Sequence, residues 1–194
     1  MVDDRLGPLY LLAATTGMRR GELLALRWRD VDLEAEPARL QVRRSLVQYG
    51  KMIEEKEPKT PRSRRTIAID PVAVTTLRRQ RVAQAEERLR AGGAYEDHGL
   101  VFSNELGQHL TPSTVSAAFR RRVKAAGLPV LTLHGLRHTF ATLGLEAGVD
   151  TLYVSELLGH SSPAITMQVY QHTRDERLTA AARQVSDAIF GTSR

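Results

Sequence analysis

His134-Gly135-Leu136-Arg137-His138-Thr139-Phe140-Ala141-Thr142 is the stretch from which the rest of the chain is read. Taken as part of a helix running from about Leu136 to Ala147, it puts Leu136, Phe140, Leu143 and Ala147 on one apolar stripe at helical spacing. His134 and Arg137 lie three apart and share a different stripe. His134 and His138 lie four apart, as two zinc ligands on a helix do. The glutamate of that motif is missing, however, and a cation between the ligands repels a metal ion. Alone, the stretch also admits a plainer reading, with His134 capping the helix and Arg137 in a surface ion pair.

Two further stretches mix glycine, cation and polar side chains in the same way. In Thr16-Gly17-Met18-Arg19-Arg20-Gly21-Glu22-Leu23, a glycine-punctuated turn presents Arg19 as a helix starts, where backbone amide dipoles favour an anion. Glu22 sits one turn on and is placed to orient the guanidinium, or to form an ordinary exposed pair with it. Leu158-Gly159-His160-Ser161-Ser162-Pro163 is a Gly-His turn, with Tyr170 ten residues after His160.

The charge distribution selects a partner class. Residues 39–65 carry 9 basic and 3 acidic side chains and residues 116–138 carry 5 and none, whereas the remainder sums to −5 against a total of +6. Two basic segments on a near-neutral body make an electrostatic footprint for a polyanion, or two solvated loops. Arginine outnumbers lysine 24 to 4, which suits bidentate phosphate contacts. Aromatics at 5% are too sparse for a platform that stacks single-stranded bases. With no cysteine, disulfides, thiolate zinc sites, iron–sulfur clusters and cysteine nucleophiles are excluded. No apolar run approaches the roughly 18 residues of a membrane span, and the acidic start MVDDRLG does not resemble a signal peptide. A cytoplasmic protein without membrane contact is expected.

Periodicity gives mostly helix: Leu9 to Thr15, Arg20 to Leu26, 71–91, 112–126, 136–147, Thr151 to Leu158, 163–170 and an amphipathic tail over 175–190. Asp70-Pro71, Thr111-Pro112 and Ser162-Pro163 each set a cap residue before a proline at the first helical position. Leu40, Val42 and the alternation Thr66-Ile67-Ala68-Ile69 read as short strands flanking the basic stretch Lys51 to Arg65. The expected fold is mainly α with a small antiparallel β-sheet (α+β) and an exposed basic turn.

In this order, TGMRRGELLALRW, PKTPRSRRTIAI, HGLRHTFAT and LGHSSPAITMQVYQH resemble the tyrosine recombinase (phage integrase) family, from about residue 5 to about 173. The resemblance implies the catalytic-domain fold of that family, over 1–173 with a C-terminal helical tail at 174–194, and the catalytic set Arg19, Lys59, His134, Arg137, His160 and Tyr170. Arg19 and Arg137 then bind the scissile phosphate, supported by Glu22. Tyr170 attacks it to give a covalent 3′-phosphotyrosyl intermediate, and Lys59 and the histidines handle protons. Permanently charged, planar guanidinium groups suit this work, because attack spreads negative charge over the non-bridging oxygens. No metal, ATP or other cofactor is then required. Arg62, Arg64, Arg65, Arg120, Arg121, Arg122 and Lys124 are expected to contact backbone phosphates, which position DNA without reading its sequence. The implied partner is double-stranded DNA, bound by a homotetramer at full length and by a monomer as this stretch alone, since the separate N-terminal DNA-binding domain usual in the family is expected to be absent here. The tail docks either on its own core or on a neighbouring subunit. Two other readings are a type IB topoisomerase-like enzyme, which shares this chemistry, and a DNA-binding module with weak activity.

Overall fold

The computed structural model describes residues 4–57 and 64–160, together with residues 162, 164, 166 and 167. Lys59, Arg62 and Tyr170, most of the helix expected over 163–170, and the tail lie outside the described residues.

Helix α1 (Gly7–Thr16) ends at Gly17, whose φ of 61° is the left-handed conformation glycine adopts without strain. A short turn leads to α2 (Arg20–Leu24). Strand β1 (Val31–Asp32), β2 (Arg39–Val42) and β5 (Arg65–Ala68) form one antiparallel sheet in the order β1-β2-β5, with Leu40 opposite Ile67. Between β2 and β5 stands a hairpin of β3 (Ser45–Tyr49) and β4 (Met52–Lys56), turning at Gly50-Lys51. The long α3 (Pro71–Ala91) follows, then α4 (Pro112–Ala125), α5 (Leu133–Glu146) and α6 (Thr151–Leu158). The fold is mixed helix and small antiparallel sheet, as expected.

Burial explains most of these elements. Leu9, Leu12, Leu23, Leu24, Leu40, Ile67, Leu77 and Val115 are fully buried in one core drawn from α1 to α4 and the sheet. Each such side chain contributes about 1.5–3 kcal/mol of burial. A second, smaller cluster joins α5 and α6 through Ala141, Leu145, Val154 and Leu158. Where α5 lies against α1 and α6 against β5, the two cores meet, and the candidate site forms at that seam. Asp70 caps α3 by accepting from the backbone N–H of Val72 and Ala73 at 2.9 and 3.0 Å. Thr111 precedes α4 without a side-chain cap bond, and Ser162 Oγ accepts from the Ala164 N–H at 3.2 Å.

Three expectations are corrected. The β3–β4 hairpin occupies part of what reads as a basic turn; only Leu46 of its ten strand residues is buried, so no apolar alternation announces it. Arg27 pairs with Glu55 of this hairpin at 2.9 Å. Helix α5 begins three residues early, because Thr132 Oγ1 accepts from the Gly135 N–H at 2.9 Å; His134 lies in the first turn and is not the cap. The buried stripe of α5 is Leu133, Arg137, Ala141 and Leu145, while Leu143 is 58% exposed. The helix is rotated so that an arginine, rather than a further leucine, faces inward.

No helix among the described residues is long and apolar enough to cross a membrane. Among those same residues, no group of three or more His, Asp or Glu side chains is placed to hold a metal ion, and His134 and His138 are both exposed.

Candidate active site

The site is organised by the C-terminal end of α6. An α-helix leaves its last four carbonyls without intrahelical partners. Here Ser155 O accepts from the His160 N–H at 3.0 Å and Glu156 O from the Gly159 N–H at 2.9 Å. Arginines satisfy the other two. Arg65 Nε donates to Leu157 O at 2.5 Å, and Arg137 Nη2 donates to Leu158 O at 2.8 Å. Arg19 completes the set, donating to Gly159 O at 3.0 Å and, more weakly, to Leu158 O at 3.4 Å. Three successive carbonyls thus receive three arginines, at the helix end that favours cations.

Each arginine arrives by a different route. Arg19 is the residue before α2, and its backbone N–H donates to Glu22 Oε2 at 2.9 Å while its Nη1 donates to Glu22 Oε1 at 2.8 Å. Arg137 projects from the inner stripe of α5, 4% exposed, and its Nη1 also reaches Gly17 O at 2.8 Å. That approach needs Gly17: a Cβ there would lie 2.7 Å from both Leu158 and Phe140. Arg65 starts β5 and pairs with Glu22 at 2.8 Å, with side chains 7% and 5% exposed.

Three guanidinium groups around one carboxylate leave the site with excess positive charge. Burial, reinforced by Arg19, pushes Arg137 down to about 9, so it remains cationic at neutral pH. Burial pushes Glu22 up, but Arg65 and Arg19 outweigh it and hold the carboxyl below its ordinary value. His160 follows directly on the α6 end, half-buried, with Nδ1 2.8 Å from Thr166 Oγ1. Burial first, then Arg137, Arg19 and Arg65, push His160 down to about 4, so its imidazole is neutral. An open cavity of about 770 Å³ lies beside this cluster, lined by Arg19, Arg20, Arg120, His134 and Arg137 among others. Such an arrangement can bind an oxyanion with planar donors and exchange a proton with it through a neutral imidazole.

The phage integrase family profile matches residues 4–177. The chain belongs to the phage integrase family. It is 37% identical to a tyrosine recombinase XerC-like protein of Caldanaerobacter subterraneus subsp. tengcongensis, over 96% of this chain and 50% of that protein. It is also 37% identical to an integrase of Streptomyces ambofaciens, over 93% of this chain and 47% of that one. The chain thus spans about half the length of the curated relatives it matches. Among solved structures it is similar to the Tn1549 transposon integrase in complex with transposon right end DNA (TM-score 0.79, 22% identity, 96% of this chain and 60% of that chain). It is similar too to XerA recombinase (TM-score 0.67, 29% identity, 94% and 57%). The fold is that of tyrosine recombinase catalytic domains.

In this phage integrase domain the sequence-derived residues separate into groups. Arg19, Glu22, Arg137 and His160 converge at the seam, and exposed His134 lines the cavity beside them. Of the expected phosphate contacts, Arg120 lines that cavity, Arg121 and Lys124 are exposed, Arg64 pairs with Glu57 at 2.5 Å, and Arg122 pairs with Asp4 at 2.7 Å. Arg65 differs from the rest of its group, since its side chain is packed against Glu22 and only 7% exposed. The alternation in β5 carries that signal: Arg65 shares its parity with buried Ile67 and Ile69. Arg20, which the sequence reading passes over, lines the cavity and donates to Ser116 Oγ of α4 at 2.6 Å.

Proposed function

We propose that this chain is the catalytic part of a site-specific recombinase that cleaves and rejoins double-stranded DNA, without metal or ATP, through a 3′-phosphotyrosyl intermediate at Tyr170. The observation that carries the reading is the meeting of Arg19 and Arg137, from distant parts of the chain, at the Leu158 carbonyl, with neutral His160 two residues on. Family membership and the DNA complexes solved for similar integrases support it.

In the proposed reaction the two guanidinium groups hold the non-bridging oxygens of one phosphodiester and stabilise the charge that develops on attack. The Tyr170 oxygen attacks phosphorus, the P–O5′ bond breaks, and the phenol proton passes to a neighbouring base. A phenol with an ordinary pKa near ~10 needs such a base or a positive field. Lys59 protonates the departing 5′-oxygen, while His134 and His160 hydrogen-bond the phosphate and relay protons. The covalent ester conserves the energy of the broken bond, so attack by a new 5′-hydroxyl reseals the strand without ATP. Arg20, Arg120, Arg121 and Lys124 contact flanking phosphates, joined by Arg62, Arg64 and Arg122. Full-length protein acts as a homotetramer on paired sites in the cytoplasm.

A nicked suicide substrate tests this. The chain is expected to form a covalent complex that survives a denaturing gel, and Tyr170→Phe to bind DNA without forming it. Trapping by Tyr170→Phe contradicts the assignment. Relaxed plasmid without recombinant products would mark a type IB topoisomerase, and DNA binding alone a module without catalysis.

A further inference from the structure

We infer that Arg65 is a positioning residue of this site and not a DNA contact: one buried guanidinium clasps the Glu22 carboxylate and the Leu157 carbonyl, so fixing both Arg19 and the turn that carries His160. The inference rests on the function proposed above and adds to it a residue outside the catalytic set.

The Glu22 carboxylate is the first half of the clasp. Its Oε1 accepts from Arg19 Nη1 at 2.8 Å and from Arg65 Nη1 at 3.1 Å; its Oε2 accepts from the Arg19 backbone N–H at 2.9 Å and from Arg65 Nη2 at 2.8 Å. Arg65 therefore grips both oxygens in fork geometry and sets the plane of the carboxylate, which in turn aims the Arg19 side chain. Arg65 Nε makes the second half, on Leu157 O at 2.5 Å. The next two carbonyls along receive Arg137 and Arg19. One planar group thus references the start of α2 to the end of α6.

The partner argues against the alternative role: Arg137 ends on neutral carbonyls, whereas the fork of Arg65 is committed to a buried carboxylate. The Arg65 side chain is 7% exposed, and its bidentate edge is taken by a carboxylate that is itself 5% exposed. To reach a backbone phosphate it would have to abandon Glu22 in the interior, uncompensated on that side. The turn is also built around it. Gly159 has φ +65°, and a Cβ there would come within 2.8 Å of Arg65 Nη1.

The test uses the 194-residue chain with Arg65→Lys, Arg65→Gln, Glu22→Gln and the double variant Glu22→Gln/Arg65→Gln. Arg65→Lys keeps a charge but loses the fork. It is expected to remain folded, to keep the parent's DNA affinity and salt dependence, and to lower the single-turnover cleavage rate at saturating DNA by about 10- to 100-fold. Arg65→Gln is expected to lose at least as much, and the double variant no more than the worse single one. Parental cleavage by Arg65→Lys overturns the inference, because a phosphate contact tolerates a point charge. A salt slope in Arg65→Gln reduced by about one also overturns it. Should Arg65→Gln not fold, Arg65→Lys decides alone. If the parent itself forms no covalent complex, the proposed function fails, and the clasp is then judged by amide exchange: Arg65→Lys must accelerate exchange at Gly159 and His160 by about 10-fold, and unchanged exchange refutes it.

Discussion

Arg19 and Arg137 donate to the same oxygen, the carbonyl of Leu158, at 3.4 and 2.8 Å. Like charges do not share an acceptor unless the surroundings hold them there. Glu22 supplies the counter-charge, and the end of α6 supplies the acceptors. The result is a pair of planar donors held in place by the fold, the preorganisation that the proposed transition-state role calls for.

Arg137 is held against its own electrostatic preference, since burial and the neighbouring Arg19 and Arg65 all oppose its charge. Its contribution should therefore be to reaction rather than to stability. Arg137→Met is expected to unfold within about 1–2 kcal/mol of the parent in urea, because losing two hydrogen bonds is offset by removing a desolvated cation. The same variant, and Arg137→Lys, should form covalent complex about 10²–10³-fold more slowly. Urea midpoints and single-turnover rates check both halves; a large loss of stability with parental activity would reverse the assignment.

Gly159 combines a left-handed backbone with a close neighbour that is itself pinned. Gly159→Ala must strain φ and displace Arg65 together, so about 1–3 kcal/mol of stability should be lost. Equilibrium unfolding of this variant gives the value directly. An unchanged midpoint would mean that the α6 end relaxes freely.

Acid should unfold the domain through identifiable groups. His160 titrates near 6.5 unfolded and about 4 folded, so between these values the unfolded chain takes up a proton that the folded chain refuses. Its contribution is fully present above pH 6.5 and is lost as pH falls through 4. Glu22, also lowered, acts in the same direction, its contribution being lost as pH falls below the ordinary carboxylate range. His109, lowered by burial against the opposing pull of Glu55, adds to the upper window. Urea midpoints are expected to fall from pH 7 to pH 4, and His160→Gln to flatten the part between 6.5 and 4. A midpoint constant across that window contradicts the charge arrangement.

Arg20 and Arg120 line one cavity with Arg19 and Arg137. If flanking phosphates lie along it, Arg20→Ala and Arg120→Ala should each lower the slope of log affinity against log salt by about one, uniformly across sequences. Arg122, already paired with Asp4 at 2.7 Å, should change it less. Fluorescence titrations at several salt concentrations measure the slopes.

The helices were legible wherever chain-local chemistry marks them. Asp70 before Pro71 and the Gly92 that ends α3 bound that helix at the expected residues. The β3–β4 hairpin was not legible, because only Leu46 of its strand residues is buried and its tie to Arg27 is a long-range ion pair through Glu55. The rotation of α5 was hidden for a related reason: a hydrophobicity pattern treats Arg137 as an outward residue, and the carbonyls of Gly17 and Leu158, with the Glu22 charge, make its burial tolerable. Arg65 lies in a basic run that reads as solvent-facing, although its parity with buried Ile67 and Ile69 points inward, where its side chain meets Glu22. Charge clustering identifies where cations are along the chain, and long-range acceptors decide which of them face solvent.

The most direct measurement is to trap the chain on a nicked duplex, digest both components and locate the attached nucleotide by mass spectrometry. A 3′-phosphoryl group on the Tyr170 oxygen is expected, with yield falling when either Arg19 or Arg137 is replaced. Attachment at another residue, or through a 5′-phosphate, would contradict the convergence of both arginines and the tyrosine on one phosphorus.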